Sequence, residues 1–309
     1  MARKRKGDAV SGWVCLDKPH DLGSTQAVGR VRRAFNAQKA GHAGTLDPLA
    51  TGILPIALGE ATKTVPFLMD ADKAYRFTIA WGIETTSFDR EGAVTATSDV
   101  RPAAPAIAIA LEGFVGQIEQ IPPDYSAVKV DGARAYDLAR EGVVMELKAR
   151  TVTIHSARLV ETPDADQAVV EIECGKGTYV RALVRDLAER LGTRAHVSDL
   201  RRTRVGAFTE ERAITLENLE QLCHTNQHLE ALLPVETALD DIPELAVTTE
   251  DAFRLTQGRS IVLLPRQVET LRARLSASRI VSARHGARIV ALCEMRAGRL
   301  NPTRVFHLT

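Results

Sequence analysis

The sequence predicts an α+β fold, a large mixed domain followed by a small β-rich one, from three observations. Strand-like and helix-like segments mix without the regular βαβ alternation of a doubly wound sheet. Tyr75 to Trp81 and Ala168 to Cys174 alternate apolar and polar residues at period two, whereas Ser24 to Phe35 and Thr178 to Leu191 space their apolar residues at helical intervals. Beyond Asp241 the chain becomes arginine-rich and shows short strand-like runs between glycine turns. A length of 309 residues accommodates this division, read as 1–241 and 242–309.

Taken in order, Trp13 to Lys18 reads as a short strand, followed by a turn at Pro19, Gly23 and Ser24. Ser24 is placed to cap a helix whose Ala27, Val28, Val31 and Ala34 share one face. Thr86 to Gly92 reads as a loop carrying Asp89, and Pro105 to Phe114 as a helix. Pro122 and Pro123 open a projecting hairpin-plus-helix insertion, with a strand at Ala127 to Val130, a turn at Asp131-Gly132 and a helix to Arg140. Val152 and Ile154 begin another strand. The helix from Thr178 has Gly192 where a C′ glycine belongs. The acidic stretch Leu216 to Leu233 is helix-prone. Ser260 to Leu264, Arg288 to Cys293 and Arg304 to Leu308 are expected as strands of a small β barrel.

The net charge of +1 conceals segregation. Ala207 to Asp241 holds eight acids against Arg212, a net of −7, and the chain from Ile242 holds eleven arginines against five acids, a net of +6. Arg194, His196, Arg201, Arg202 and Arg204 form a second basic cluster, and Arg3, Lys4, Arg5 and Lys6 a third. Any one could be a solvated surface; three together point to an anionic partner, nucleic acid above all. The basic N-terminus lacks the apolar stretch of a secretory signal, and no window has the roughly 18 apolar residues of a membrane helix. A cytoplasmic protein is therefore expected. Four cysteines without a CxxC pair argue against a disulfide framework or zinc site. His224 and His228 share a helical face beside Cys223, but without further ligands no metal is assigned. Gly52 to Lys63 lacks the GK[ST] of a phosphate-binding loop.

The most informative segment is Gly41 to Lys63, GHAGTLDPLATGILPIALGEATK. Proline disfavours the α region for its predecessor, so Asp47 before Pro48 is expected in an extended or turn conformation. Gly41, Gly44 and Gly52 permit positive φ and close approach of another backbone. Asp47 is thereby presented as a candidate catalytic carboxylate, the alternative being an ordinary Asp-Pro turn. Arg181 lies about 60° from the edge of its helix's apolar stripe. It also sits in the first turn, where the helix dipole disfavours a cation. It either snorkels over apolar neighbours or pairs with an anion, for which Asp47 is the obvious candidate; such a pair would favour the ionised carboxylate. Tyr75 heads a strand and points its ring into the core or a pocket.

GHAGTLDPLATGILPIALGEATK, KAYRF, GKGTYVRALVRDL and AHVSDLRRTRVGAF, in this order, resemble the bacterial tRNA pseudouridine synthase B (TruB) family. The resemblance covers residues 10 to 215 strongly and extends through LTQGRSI, Leu255 to Ile261. One turn that usually ends Thr-Ser in the family reads Ser24-Thr25 here. The resemblance implies a mixed, mainly antiparallel sheet, an RNA-gripping thumb at about 122–150 and a C-terminal PUA-like RNA-binding barrel. It implies isomerisation of uridine 55 in the tRNA T loop to pseudouridine, without cofactor or metal, by a cytoplasmic monomer whose partner is the T arm of tRNA. By the same resemblance Asp47 is catalytic, Tyr75 stacks on the base and Arg181 is the salt-bridging arginine. His42, Tyr179 and Leu200 would contact substrate and Lys129 a phosphate. A non-catalytic tRNA-binding module and a nucleoside N-glycosylase are the alternatives.

Overall fold

The computed structural model describes residues 7–126, 129–130, 133–134, 147–275 and 279–308, with backbone alone for 129–130 and 133–134. The basic tail Arg3 to Lys6 lies outside the described residues. So does most of the expected insertion: Ala127, the Asp131-Gly132 turn and the helix to Arg140. Lys129 falls on the two-residue strand Lys129–Val130, which pairs with Ala133–Arg134.

Ten strands form the large sheet. Its main path runs Ile214–Thr215, Gly12–Lys18, Thr51–Leu58, Ala195–Val205, Lys73–Trp81, Gln167–Cys174, Arg150–Glu161 and Gly116–Gln120, with Ala40–His42 and Phe208–Thr209 attached at the side. Only the contacts of Gly12–Lys18 with Ile214–Thr215 and of Thr51–Leu58 with Ala195–Val205 are parallel, so the sheet is mixed and mainly antiparallel.

Alternation along each strand decides what its two faces meet. In Gly12–Lys18, Val14 and Leu16 enter a core shared with Ala27, Val31, Leu183, Val184, Leu187, Ile107 and Leu219, which come from the helices on that face. Trp13 and Cys15 point the other way, into a second core with Phe208, Val235, Leu239, Leu292 and Phe306. This strand is therefore buried on both sides. Lys73–Trp81 keeps the expected half-buried pattern, with Phe77, Ile79 and Trp81 in the first core and Arg76 exposed.

The structure corrects the first helix at its start and shortens the acidic one. The first helix spans Ser24–Ala34, but its N-cap is Gly23, and Gln26 Oε1 accepts from the Gly23 N–H at 3.2 Å. Ser24 does not cap: its hydroxyl is spent on the backbone of Leu46. The helix Val180–Arg190 ends as anticipated, with Gly192 at φ +67°. The acidic stretch is helical only over Leu216–His224, capped by Thr215, before short 3₁₀ turns.

The C-terminal region is a five-stranded sheet in the order Glu244–Ala246, Ile280–His285, Arg288–Arg296, Arg299–Val305 and Ile261–Val262. Its core gathers Leu255, Ile261, Leu271, Val281, Cys293 and Leu300. Two helices here, Thr249–Thr256 and Pro265–Arg272, were hidden by their brevity; the first is capped by Thr248, whose side chain accepts from Asp251 N–H. The last strand starts earlier than Arg304 because a register shift at its partner lets Pro302 sit opposite Cys293 without a ladder donor.

Candidate active site

Asp47 opens a turn: its carbonyl accepts from the Ala50 N–H at 3.1 Å, with Pro48 at the second position where its fixed φ suits the bend. Gly44 adopts φ +96°, and so does Gly52, where a Cβ would lie 2.3 Å from the Arg202 carbonyl oxygen. Gly44 thus serves conformation and Gly52 serves close approach. Gly41 does neither, having a negative φ and open space at its Cβ position.

Arg181 lies on the helix Val180–Arg190 with its side chain 6% exposed, and its Nη2 stands 2.9 Å from Asp47 Oδ2. The same Nη2 donates to the Tyr125 carbonyl at 2.7 Å, and Nη1 donates to the Ser87 carbonyl at 3.0 Å. Asp89, 4% exposed, places Oδ2 3.4 Å from Nη1. The expected ion pair is therefore part of a two-carboxylate arrangement at one cavity, in which the Asp47 side chain is 37% exposed and that of Asp89 is buried. The cation in the first helical turn, unfavourable to the dipole, is offset by two carboxylates.

The loop supplying Asp89 is held internally. Ser87 Oγ donates to Asp89 Oδ1, Thr85 Oγ1 donates to the Asp89 carbonyl at 2.6 Å, and the Glu91 N–H reaches Asp89 Oδ1 at 3.0 Å. Phe88, between them, sits at φ +57°, a strained conformation for a bulky residue, with the Arg185 guanidinium 5.4 Å over its ring. Glu91 also lines the cavity; burial raises its carboxyl, and the negative charges of Asp89 and Asp47 add to the shift. Asp89 was legible only as a loop residue, since nothing in TSFDREG distinguishes a buried carboxylate from a turn aspartate.

Tyr75 packs against the first core and lies opposite Arg202 on the neighbouring strand. Burial pushes its hydroxyl up in pKa, opposed by the charge of Arg202. Tyr179 is the N-cap of the Arg181 helix; Gln120 receives its N–H at 2.8 Å and donates to its carbonyl at 3.2 Å. Burial raises the Tyr179 hydroxyl too. Leu200 is 5% exposed, opposite Phe77. His42 ends the short strand Ala40–His42, opposite Ile56. Asp47 and Arg181 are thus in direct contact and line one cavity, whereas Tyr75 lines a separate one with Glu171 and Arg204, and His42, Tyr179 and Leu200 line neither.

Sequence reasoning missed Lys18. It is fully buried, and its Nζ donates to the carbonyls of Pro19 at 2.8 Å and Pro48 at 3.1 Å. Burial lowers it to about 8, with the charge of Asp47 opposing. The signal was a lysine closing an apolar strand. The Arg194–Arg204 cluster also departs from its reading as a basic surface. Arg194 pairs with Glu84, Arg201 with Asp17 and Glu210, and Arg204 with Glu173, while Arg202 is buried. Among the described residues, no cluster of three or more His, Cys, Asp or Glu is arranged to hold a metal, and no helix is long and apolar enough to cross a membrane.

Residues 32–180 match the TruB family pseudouridylate synthase N-terminal domain, and residues 181–240 match the tRNA pseudouridylate synthase B C-terminal domain. The chain is 71% identical over 310 residues to the tRNA pseudouridine synthase B of Caulobacter vibrioides, covering all of both. A chain in the crystal structure of a Cbf5-Nop10-Gar1 complex is 25% identical with a TM-score of 0.73, over 96% of this chain and 85% of that one. A chain in an H/ACA RNP bound to a substrate RNA containing 2′-deoxyuridine is 22% identical with a TM-score of 0.73, over 100% of this chain and 92% of that one.

Proposed function

The chain belongs to the TruB family of pseudouridylate synthases, and from that premise we propose that it isomerises uridine 55 of the tRNA T loop to pseudouridine, with Asp47 as the catalytic carboxylate. The observation that carries this reading is the Arg181–Asp47 contact of 2.9 Å, which puts a carboxylate at a cavity edge against a buried guanidinium. The contact fixes one carboxylate oxygen and leaves the group facing the cavity.

The reaction breaks the N1–C1′ bond, turns the base and forms a C5–C1′ bond; C5 loses a proton and N1 gains one. It is redox-neutral and consumes no phosphate energy, so it calls for no cofactor. An ionised Asp47 can serve as nucleophile at C6 or C1′, or as a base on the ribose. The target base stacks within its loop and must be flipped out to reach Asp47. Tyr75 offers the flipped base a ring face, and its hydroxyl assists removal of the C5 proton. His42, Tyr179 and Leu200 contact the nucleotide, and Lys129 a phosphate.

In this reading residues 1–241 form the catalytic domain with a thumb at about 122–150, and residues 242–309 a PUA-like RNA-binding barrel. The exposed arginines of the latter hold the tRNA backbone. The protein acts on the T arm as a cytoplasmic monomer. The test is incubation with a T-arm transcript and mapping of pseudouridine by carbodiimide and primer extension. Pseudouridine at the T-loop position supports the proposal. Free uracil would identify a nucleoside glycosylase, and binding without product a tRNA-binding module.

A further inference from the structure

We propose that Arg202 and Ser24 are positioning residues that clamp the Asp47 turn from two sides, a role that rests on Asp47 being the reacting carboxylate. Arg202 is 1% exposed, yet no carboxylate among the described residues pairs with it. A buried cation without an anion is costly, and an apolar side chain of its volume would fill the site more cheaply. What the guanidinium contributes is geometry. Its Nε donates to the Ile53 carbonyl at 2.7 Å, Nη1 to that of Thr45 at 3.2 Å and Nη2 to that of Gly44 at 3.2 Å. A planar fork of fixed donors can join three backbone acceptors in this way; a lysine cannot. Its charge also opposes the rise in pKa that burial imposes on the Tyr75 hydroxyl.

Ser24 works from the opposite side. It is 5% exposed; its Oγ donates to the Leu46 carbonyl at 2.7 Å and accepts from the Leu46 N–H at 2.9 Å. One hydroxyl thus fixes both backbone groups of the residue immediately before Asp47. Beyond Asp47, the Pro48 carbonyl accepts from Lys18 Nζ at 3.1 Å and from the Asp21 N–H at 2.9 Å. Gly44, Thr45, Leu46 and Pro48 are therefore tied to the strand Ala195–Val205, to the start of the first helix, and to the end of the strand Gly12–Lys18 with the turn after it. What remains free at Asp47 is its side chain, and Arg181 takes one oxygen of that. A displacement of about 1 Å at a reacting group costs on the order of 100-fold in rate, so such fixation bears on turnover more than on affinity.

The test uses the full chain and a T-arm transcript, and measures single-turnover conversion at saturation, Kd for the transcript and the thermal midpoint. Arg202→Lys keeps the charge and loses the fork; Ser24→Ala loses the hydroxyl; Ser24→Thr restores it. Each loss variant should fold, bind RNA within about threefold of wild type and convert it roughly 10- to 100-fold more slowly, with threonine recovering most of the Ser24→Ala deficit. Because both loosen one turn, the double variant should lose less than the product of the single losses. If Arg202→Lys does not fold, the alanine and threonine variants of Ser24 decide alone. Wild-type turnover in Ser24→Ala, a rate loss that only tracks the folded fraction, or fully multiplicative losses would overturn the clamp. Wild-type protein that forms no pseudouridine would instead refute the assigned reaction, and the clamp's role with it.

Discussion

The stretch Arg194 to Arg204 and the chain from Ile242 onward are both rich in arginine, and the structure uses them in opposite ways. In the first, three arginines are committed to carboxylates of neighbouring elements and the fourth is buried against the Asp47 turn. In the second, only Arg254 and Arg284 form ion pairs among the described residues, while Arg259, Arg266, Arg288, Arg296, Arg299 and Arg304 are exposed. Composition reports the charge of a segment; strand register decides whether that charge faces protein or solvent. The buried Arg202 supports the Asp47 turn, its three neighbours are held by carboxylates, and the unpaired exposed arginines are available to a polyanion.

The largest effect expected from breaking this division comes from Arg181→Ala. It strips the cation from Asp47 and leaves the 4%-exposed Asp89 without its partner. Conversion of saturating tRNA should fall by a factor on the order of 10²–10³ while Kd changes within about threefold. Stability should fall by about 3–5 kcal/mol in chemical denaturation. Near-normal turnover would show that the pair is only structural.

The exterior arginines predict the reverse split. Arg259→Ala together with Arg266→Ala should weaken tRNA binding and lower the slope of log K against log salt by about one for each phosphate no longer neutralised. The rate at saturating RNA should not change. If the salt slope stays at its wild-type value, that surface does not hold the backbone.

Arg201→Ala sharpens the contrast from the side of the paired arginines. Arg201 bonds Asp17 at 3.0 and 2.9 Å and also holds Glu210, at a side-chain exposure of 31%. Its removal should cost about 1 kcal/mol or less of stability and leave tRNA affinity and its salt dependence alone. A changed salt slope would return this cluster to the RNA-binding surface.

The last contrast is read from pH rather than from RNA and concerns the buried cation Lys18. Its pKa falls from 10.5 to about 8 in the folded protein, so the unfolded chain binds more protons between those values. Lysine burial therefore disfavours the fold below about pH 8, and that penalty is relieved as pH rises towards 10.5. The stability of wild type relative to Lys18→Met should increase across this window in denaturation curves at matched salt. A flat difference would mean that Lys18 titrates as it does in the unfolded chain.

Much of this arrangement was legible before the structure, for identifiable reasons. The Asp-Pro pair and its glycines announced a turn, because proline and positive φ act locally. Helical phase placed Arg181 at the rim of a buried face, and the need for an anion named Asp47. Phase could not reveal Asp89, Lys18 or Arg202, whose roles depend on long-range register: Arg202 meets Gly52 across one strand pair and Tyr75 across another. Ser24 misled because a serine beside a helix start has a local use, capping, and here a distant partner, Leu46, took its hydroxyl. The two short C-terminal helices have only eight residues each, too few for their periodicity to stand out between strands.

The central claim is that the clamped Asp47 does the chemistry, and Asp47→Asn tests it most directly because it keeps shape and removes charge. With T-arm transcript at saturation, wild type should convert the T-loop uridine to pseudouridine, whereas Asp47→Asn should bind with comparable Kd and form no detectable product. Conversion by Asp47→Asn at a rate near wild type would contradict the account.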